Sequence, residues 1–346
     1  MYKCVIVGVG GGRADGHAQA YPLIRRGKLV AVSTRTPEKL EAFARKYEIP
    51  GRYTDYREMF HREKPDLVQV NTPPSVRAEI LAAADEAGVP AVIFEKPIAI
   101  EGEDYRILCQ LAGRVKTKVA VNHQLHFHPN RFQLQQRVAD GGIGEVRFID
   151  ASARLNLVAQ GTHMLQGISA FNPAGRPTSV MAQAEGAQGL QPSQRCHYAP
   201  DETLAAVSYD NNVRALLRCG AGATVVTEAR PVDKLSLHKR ISVYGTVGSA
   251  HWTMWSWQYT GRNGVMEQGA HDYFEQDVRA QAALTEAMFD WLEDDRKVHP
   301  LNLASALVDF NIILGAFHSI LKHQVVSLPV EPEDGLIRKL SAVLGS

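Results

Sequence analysis

The chain has 346 residues, more than one hydrophobic core usually spans, so two domains are expected. Hydrophobic residues make up 45% and charged residues 22%, close to globular averages, and 38 basic residues nearly balance 37 acidic ones. That balance excludes the basic footprint of a nucleic-acid binder and a membrane-seeking surface. Cys4, Cys109, Cys196 and Cys219 are far apart with no C-x-x-C pair, which excludes a disulfide scaffold or zinc ribbon. No apolar run is expected to reach the ~20 residues that cross a bilayer. Strand-like Val5-Ile6-Val7 leaves no room for a signal peptide, so a cytoplasmic setting is the expectation.

In chain order, Cys4–Val7 reads as a buried strand, followed by a glycine loop and a helix around His17–Arg26. Leu29–Ser33 is a second strand, and Pro37–Tyr47 is a helix capped by Thr36. Leu67–Val70 is a third strand, closed by Asn71-Thr72-Pro73-Pro74, which continues neither helix nor ladder. Ser75–Ala87 is a helix ending at Gly88, and Ala91–Phe94 is a strand stopping at Glu95-Lys96-Pro97. Ile107–Ala112 is helical and Lys118–Val121 is a strand. Strands alternating with helices predict a parallel α/β sheet over residues 1–122.

Beyond that point, over 123–346, the texture changes. Val146–Arg154, Ala205–Ser208, Ala215–Cys219, Ala223–Ala229 and Arg240–Tyr244 read as strands joined by turns, with Asp210-Asn211-Asn212 as a hairpin signal. An α+β domain with a large, mainly antiparallel open sheet is predicted. Helices return at Glu275–Asp294 and Leu303–Leu321; the latter is expected to pack back on the first domain.

Gly8-Val9-Gly10-Gly11-Gly12 follows the first strand and precedes a helix, where glycine lets the backbone turn tightly and approach a pyrophosphate. The helix start offers free N–H groups and partial positive charge. Arg13 occupies the sixth position of the imperfect G-x-G-x-x-G. An NAD-binding fold usually places an acid about 20 residues on, at the ribose. Here the second strand ends Ser33-Thr34-Arg35, a set suited to a 2′-phosphate, so NADP(H) is expected ahead of NAD(H).

Glu95-Lys96-Pro97, the glycine loop, Asn71-Thr72-Pro73-Pro74, Gly144-Glu145-Val146, Gly161-Thr162-His163 and Gly245-Thr246-Val247-Gly248-Ser249 occur in one order over nearly the whole chain. In these motifs the chain resembles the Gfo/Idh/MocA family. The resemblance implies a Rossmann domain and a substrate domain whose sheet face meets the nicotinamide. It also implies hydride transfer at a hydroxyl or keto carbon of a sugar, cyclitol or polyol. It makes Lys96 the cation beside the reacting oxygen and His163 the proton carrier, and it implies a homo-oligomer, dimer or tetramer, built through the sheet face. Independent chemistry agrees. Histidine, titrating near pH ~6.5, can take the alcohol proton, and an ammonium stabilises the alkoxide.

The sequence departs from the family in three places. Ala159 and Gln166 stand where acids often flank the histidine, and Gln160 precedes it. In Asn122-His123-Gln124-Leu125-His126-Phe127-His128, relatives often carry arginine. If extended, this segment puts Gln124, His126 and His128 on one face. A polar substrate wall of Asn122, Gln124 and His126, with Gln160 and Gln166, is expected, and no metal site. Arg77 replaces a frequent histidine. Trp252, Trp255, Trp257 and Tyr259 are read chiefly as packing. Two rival functions fit the same residues: a glycosidase that retains its nicotinamide, and a non-catalytic NADP(H) sensor.

Overall fold

The computed structural model describes residues 1–190, 198–221 and 238–345. The expected strand Ala223–Ala229 and Cys196 lie outside them. Two compact units emerge. The first comprises Met1–Ala99, Asp104–Phe127 and Asp277–Leu307; the second comprises Ile100–Glu103, His128–Gln276 and Val308–Ser346. A single cut at residue 122 does not describe this discontinuous division. The segment that joins the first unit is Asp277–Leu307, so most of the helix expected at 303–321 counts with the second.

In the first unit, strands β1 (Tyr2–Val7), β2 (Gly27–Ser33), β3 (Gly51–Tyr53), β4 (Leu67–Val70), β5 (Ala91–Glu95) and β6 (Lys118–Asn122) form a sheet in the order β3-β2-β1-β4-β5-β6. Every pairing is parallel. Strands buried on both faces need continuous apolar runs, and Val5, Ile6, Leu67, Val68, Val92 and Ile93 are fully buried. Helices α1 (Gly12–Ala20), α2 (Pro37–Lys46), α3 (Tyr56–Glu63), α4 (Arg77–Glu86) and α5 (Gly102–Ala112) follow in turn. Sequence reading missed the short β3 and the polar α3. It also carried α1 too far, because a 3₁₀ turn at Tyr21–Leu23 ends that helix before the second strand. Strand order reverses between β1 and β4, and the crevice at the carboxyl ends there is where open α/β sheets bind ligands.

The second unit carries a nine-stranded sheet in the order β14-β13-β12-β11-β7-β10-β9-β8-β15. Its strands are β7 (Val146–Ala153), β8 (Pro177–Glu185), β9 (Glu202–Tyr209), β10 (Arg214–Cys219), β11 (Lys239–Gly245), β12 (Ser249–Thr253), β13 (Ser256–Thr260), β14 (Met266–Ala270) and β15 (Val326–Ser327). Only the β7–β10 pair is parallel. The β9–β10 hairpin turns at Asn212, with φ +64°. Helices α6 (Pro129–Ala139) and α7 (Thr162–Phe171) belong to this unit.

Two long helices, α8 (Tyr273–Glu293) and α9 (Leu303–Lys322), follow, and α10 (Leu336–Leu344) closes the chain. The composition of α9 corrects one expectation: it is apolar enough over 18 residues to pass for a membrane span. Yet 83% of that window is buried in the fold, so its hydrophobicity goes into the core.

Candidate functional site

Four loops leave the carboxyl ends of the first unit's central strands, and the expected cofactor residues lie on them. Gly8 adopts φ +87°, and a Cβ there would stand 3.2 Å from the Asn71 backbone carbon, so glycine is required twice over. Gly11 and Gly12 differ: a Cβ on either would meet no protein atom within 4 Å. Their bareness keeps open space beside the start of α1, whose first-turn amides have no side-chain cap. Across the switch point, both side-chain polar atoms of Asn71 and the Thr72 hydroxyl are buried without partners. An open glycine cradle, uncapped amides and orphaned amide and hydroxyl groups fit a dinucleotide.

Glu95 is buried and receives Arg13 Nε at 3.4 Å, His17 Nε2 at 3.1 Å and the Asn122 amide. Gln281 completes the ring, accepting from Asn122 Nδ2 at 2.9 Å and donating Nε2 toward His17 Nδ1 at 3.1 Å. Burial alone would raise the Glu95 pKa, but the Arg13 charge, the His17 hydrogen bond and charge, and the Lys96 charge outweigh it. The carboxyl is held well below the usual carboxylate range.

Arg77, which sequence reading left without a role, is buried and donates through Nε and Nη2 to the Thr72 carbonyl at 3.2 and 2.9 Å. Its Nη1 reaches the Pro97 carbonyl. One guanidinium therefore ties the Asn71–Pro74 turn to the Glu95–Pro97 turn.

Several expected residues are placed otherwise than predicted. Residues Gln124–Phe127 form a 3₁₀ turn rather than an extended strand, so the alternation assumed for Gln124, His126 and His128 does not hold. Asn122 is fully buried and committed to Glu95 and Gln281. Gln124 Nε2 donates to Asp277 at 2.9 Å, and His126 packs edge-on to Phe127. Arg13 leans toward Glu95 and Asp277. Ser33 is buried, Thr34 is half-buried and Arg35 is exposed.

In the second unit, a wide π turn at Leu157–Gly161 leads into α7, and together they carry Gln160, His163 and Gln166, all buried. Asn156 Oδ1 pins the turn by accepting from the Ala159 amide at 2.8 Å. Gly161 is needed for close approach, since a Cβ would stand 2.8 Å from Cys219 Sγ. The Gln160 oxygen accepts from the Leu155 amide at 3.3 Å, and Gln166 accepts from Arg131 Nη2 at 3.2 Å. Arg131 is fully buried over the Trp252 ring, 5.6 Å from its centroid, and a Cβ on Gly167 would overlap it. Burial lowers the Arg131 pKa to about 9. Burial, then the His271 and Arg131 charges, lower that of His128 to about 3.

The model of the oxidoreductase family with an NAD-binding Rossmann fold, Gfo/Idh/MocA, matches residues 2–123, the span that carries the glycine loop and Glu95-Lys96-Pro97. Over these residues the chain is similar to the Gfo/Idh/MocA family. Among similar curated proteins are D-glucoside 3-dehydrogenase of Escherichia coli, 30% identical over 44% of this chain and 43% of the relative. Another is dTDP-3,4-didehydro-2,6-dideoxy-alpha-D-glucose 3-reductase of Saccharopolyspora spinosa, 32% identical over 35% of this chain and 36% of the relative. The matches thus span less than half the length of either relative. Among solved structures, levoglucosan dehydrogenase in complex with NADH superposes with TM-score 0.79 at 16% identity, covering 95% of this chain and 99% of that one. A putative myo-inositol dehydrogenase from Sinorhizobium meliloti gives 0.75 at 20% identity, covering 95% and 100%. These two likenesses show that the chain shares their fold over 95% of its length.

Proposed function

We propose that this chain is a cytoplasmic oxidoreductase of the Gfo/Idh/MocA family that transfers a hydride between NADP(H), ahead of NAD(H), and a hydroxyl or keto carbon of a sugar, cyclitol or related polyol. The observation that carries the reading is the glycine cradle facing the orphaned Asn71 and Thr72 groups at the switch point. The names of the curated relatives, both acting on hexose-derived rings, supply the substrate class. The absence of an acid at Ser33-Thr34-Arg35 supports NADP(H).

The bound nicotinamide supplies the hydride acceptor or donor. Asn71, Thr72 and the first-turn amides of α1 bind and orient the dinucleotide. Lys96 is assigned the ammonium that stabilises negative charge on the reacting oxygen. His163 is assigned the group that takes or returns the hydroxyl proton. Gln166, an amide, can orient an imidazole but cannot offset an imidazolium charge as a carboxylate would.

The outer face of the nine-stranded sheet carries Phe148, Met181, Leu204 and Tyr244, each more than a third exposed, with Phe148 stacked on Tyr244 at 6.1 Å. That face is the proposed homo-oligomer interface, and light scattering of Phe148→Asp beside wild type tests it. An absorbance assay at 340 nm across aldoses, ketoses, cyclitols and glycosides, with each cofactor, tests the activity. On the best substrate, Lys96→Ala and His163→Ala are each expected to lower kcat/KM by about 10²–10⁴-fold. Full turnover by both variants, or no turnover with any compound, refutes the reading.

A further inference from the structure

We infer that a small monovalent anion of chloride size binds inside the second unit at the start of α6, held by the Arg131 guanidinium, the Trp252 indole N–H, the His128 ring and the helix's first-turn amides. The inference stands apart from the oxidoreductase reading and needs neither cofactor nor substrate.

Helix α6 opens without the usual anchors. Its N-cap is His128, no side chain caps its first-turn amides, and its first turn holds no acid. A helix start carries partial positive charge and is stabilised by a carboxylate or a bound anion there. The chain places a cation in that turn instead, Arg131, two residues after Pro129. Helical side chains lean back toward the N-terminus, so the guanidinium adds its charge to that of the amides.

Arg131, His128 and Trp252 are all fully buried and lie against one another. Arg131 Cζ is 5.6 Å from the Trp252 ring centroid, and the His128 and Trp252 ring centroids are 5.2 Å apart. Arg131 uses Nη2 on the Gln166 oxygen at 3.2 Å. Its Nε and Nη1, Trp252 Nε1 and both His128 ring nitrogens have no hydrogen-bond partner among the described residues. A guanidinium and an indole N–H can only donate, so the cluster offers donors with at most one imidazole nitrogen to accept.

The charge also persists, because burial lowers the Arg131 pKa only to about 9 and leaves the group protonated at neutral pH. A water molecule would satisfy donors without offsetting that charge, whereas an anion does both. The orphaned atoms have almost no exposed surface, which favours a sealed ion over the charged end of a larger ligand. Held there, the anion ties α6 to β12 and, through Arg131 and Gln166, to α7.

Thermal melts of wild type and Arg131→Met in sodium chloride, bromide, malonate and gluconate at equal ionic strength test the inference. Chloride or bromide at about 0.2 M should raise the wild-type melting temperature by about 2–4 °C over gluconate, with a saturable dependence on concentration. Arg131→Met should show no such difference. Wild-type crystals grown in bromide should give an anomalous peak within hydrogen-bond reach of Arg131 Nε or Nη1, a readout that stands even where the variant does not fold. Equal melting of wild type in chloride and gluconate overturns the inference, as does the same chloride gain in Arg131→Met or density at Arg131 without an anomalous signal. A gain in malonate but not in chloride overturns it as well, since the donors would then serve an organic acid entering from outside.

Discussion

Each unit buries a charge, and the two are stabilised in opposite ways. In the first, the Glu95 carboxylate collects Arg13, His17 and Asn122, with Gln281 behind them, so donors and acceptors alternate around a negative centre. In the second, the Arg131 guanidinium has one amide oxygen, on Gln166, and the face of Trp252, and no carboxylate pairs with it among the described residues. Its Nε and Nη1 are buried without partners, as are both His128 ring nitrogens and Trp252 Nε1. Burial therefore fails to neutralise Glu95 yet pulls the proton affinity of Arg131 down. A buried charge is secured by its counter-charges, not by burial itself.

The largest expected effect tests that contrast directly. Glu95→Gln removes the negative centre on which Arg13, His17 and Asn122 converge and should cost about 3–5 kcal/mol, a drop of roughly 10 °C in the melting temperature. In chloride-free buffer, Arg131→Met removes an unpaired charge at similar volume and should be neutral within about 1 kcal/mol or stabilising. Equal losses in the two variants, read by thermal melts, would remove the contrast.

Asp309 on α9 sharpens it with a second poorly compensated group of the second unit. Its carboxyl is buried, with only the Ser169 hydroxyl donating to it among the described residues, at 2.7 Å, and burial raises its pKa from 3.8 to about 7. The folded chain thus holds a proton that the unfolded chain gives up near 3.8. Stability from this group is complete below that value and is lost as pH rises toward about 7. Asp309→Asn should raise the melting temperature by several degrees at pH 8 and by about zero at pH 4. A gain of the same size at both pH values would show that the group does not titrate in this window.

The smallest expected effect separates folding from binding within one loop. Gly8→Ala, strained at φ +87° and against Asn71, should cost about 1–2 kcal/mol. Gly11→Ala should be neutral within about 0.5 kcal/mol while weakening cofactor binding severalfold, read by melts and by titration with NADPH. A destabilised Gly11→Ala protein would mean that this glycine serves the fold rather than a ligand.

Much of the first unit was legible because its parallel strands are buried on both faces and write continuous apolar runs such as Cys4–Val7 and Ala91–Phe94. The glycine loop, Asn71-Thr72-Pro73 and Glu95-Lys96-Pro97 announce themselves through backbone demands that few residues meet. Strand β3 was missed because three residues beginning with Gly51 carry no period. The segment Gln124–Phe127 misled because a polar–apolar alternation fits a strand as well as a 3₁₀ turn, and only packing chose between them. Arg77 had a detectable signal, a cation where the family often has histidine, but its two carbonyl targets are five and twenty residues away.

The sequence by itself determined the fold class, the cofactor loop and the motifs that carry the family, since each depends on local steric and hydrophobic constraints. Only the tertiary structure decided which side chains surround Glu95. Gln281, 159 residues beyond Asn122, reaches that carboxylate's partners because Asp277–Leu307 folds into the first unit. It likewise decided that Gly167 makes room for Arg131. Pairings of this kind depend on distances in space that no spacing along the chain encodes.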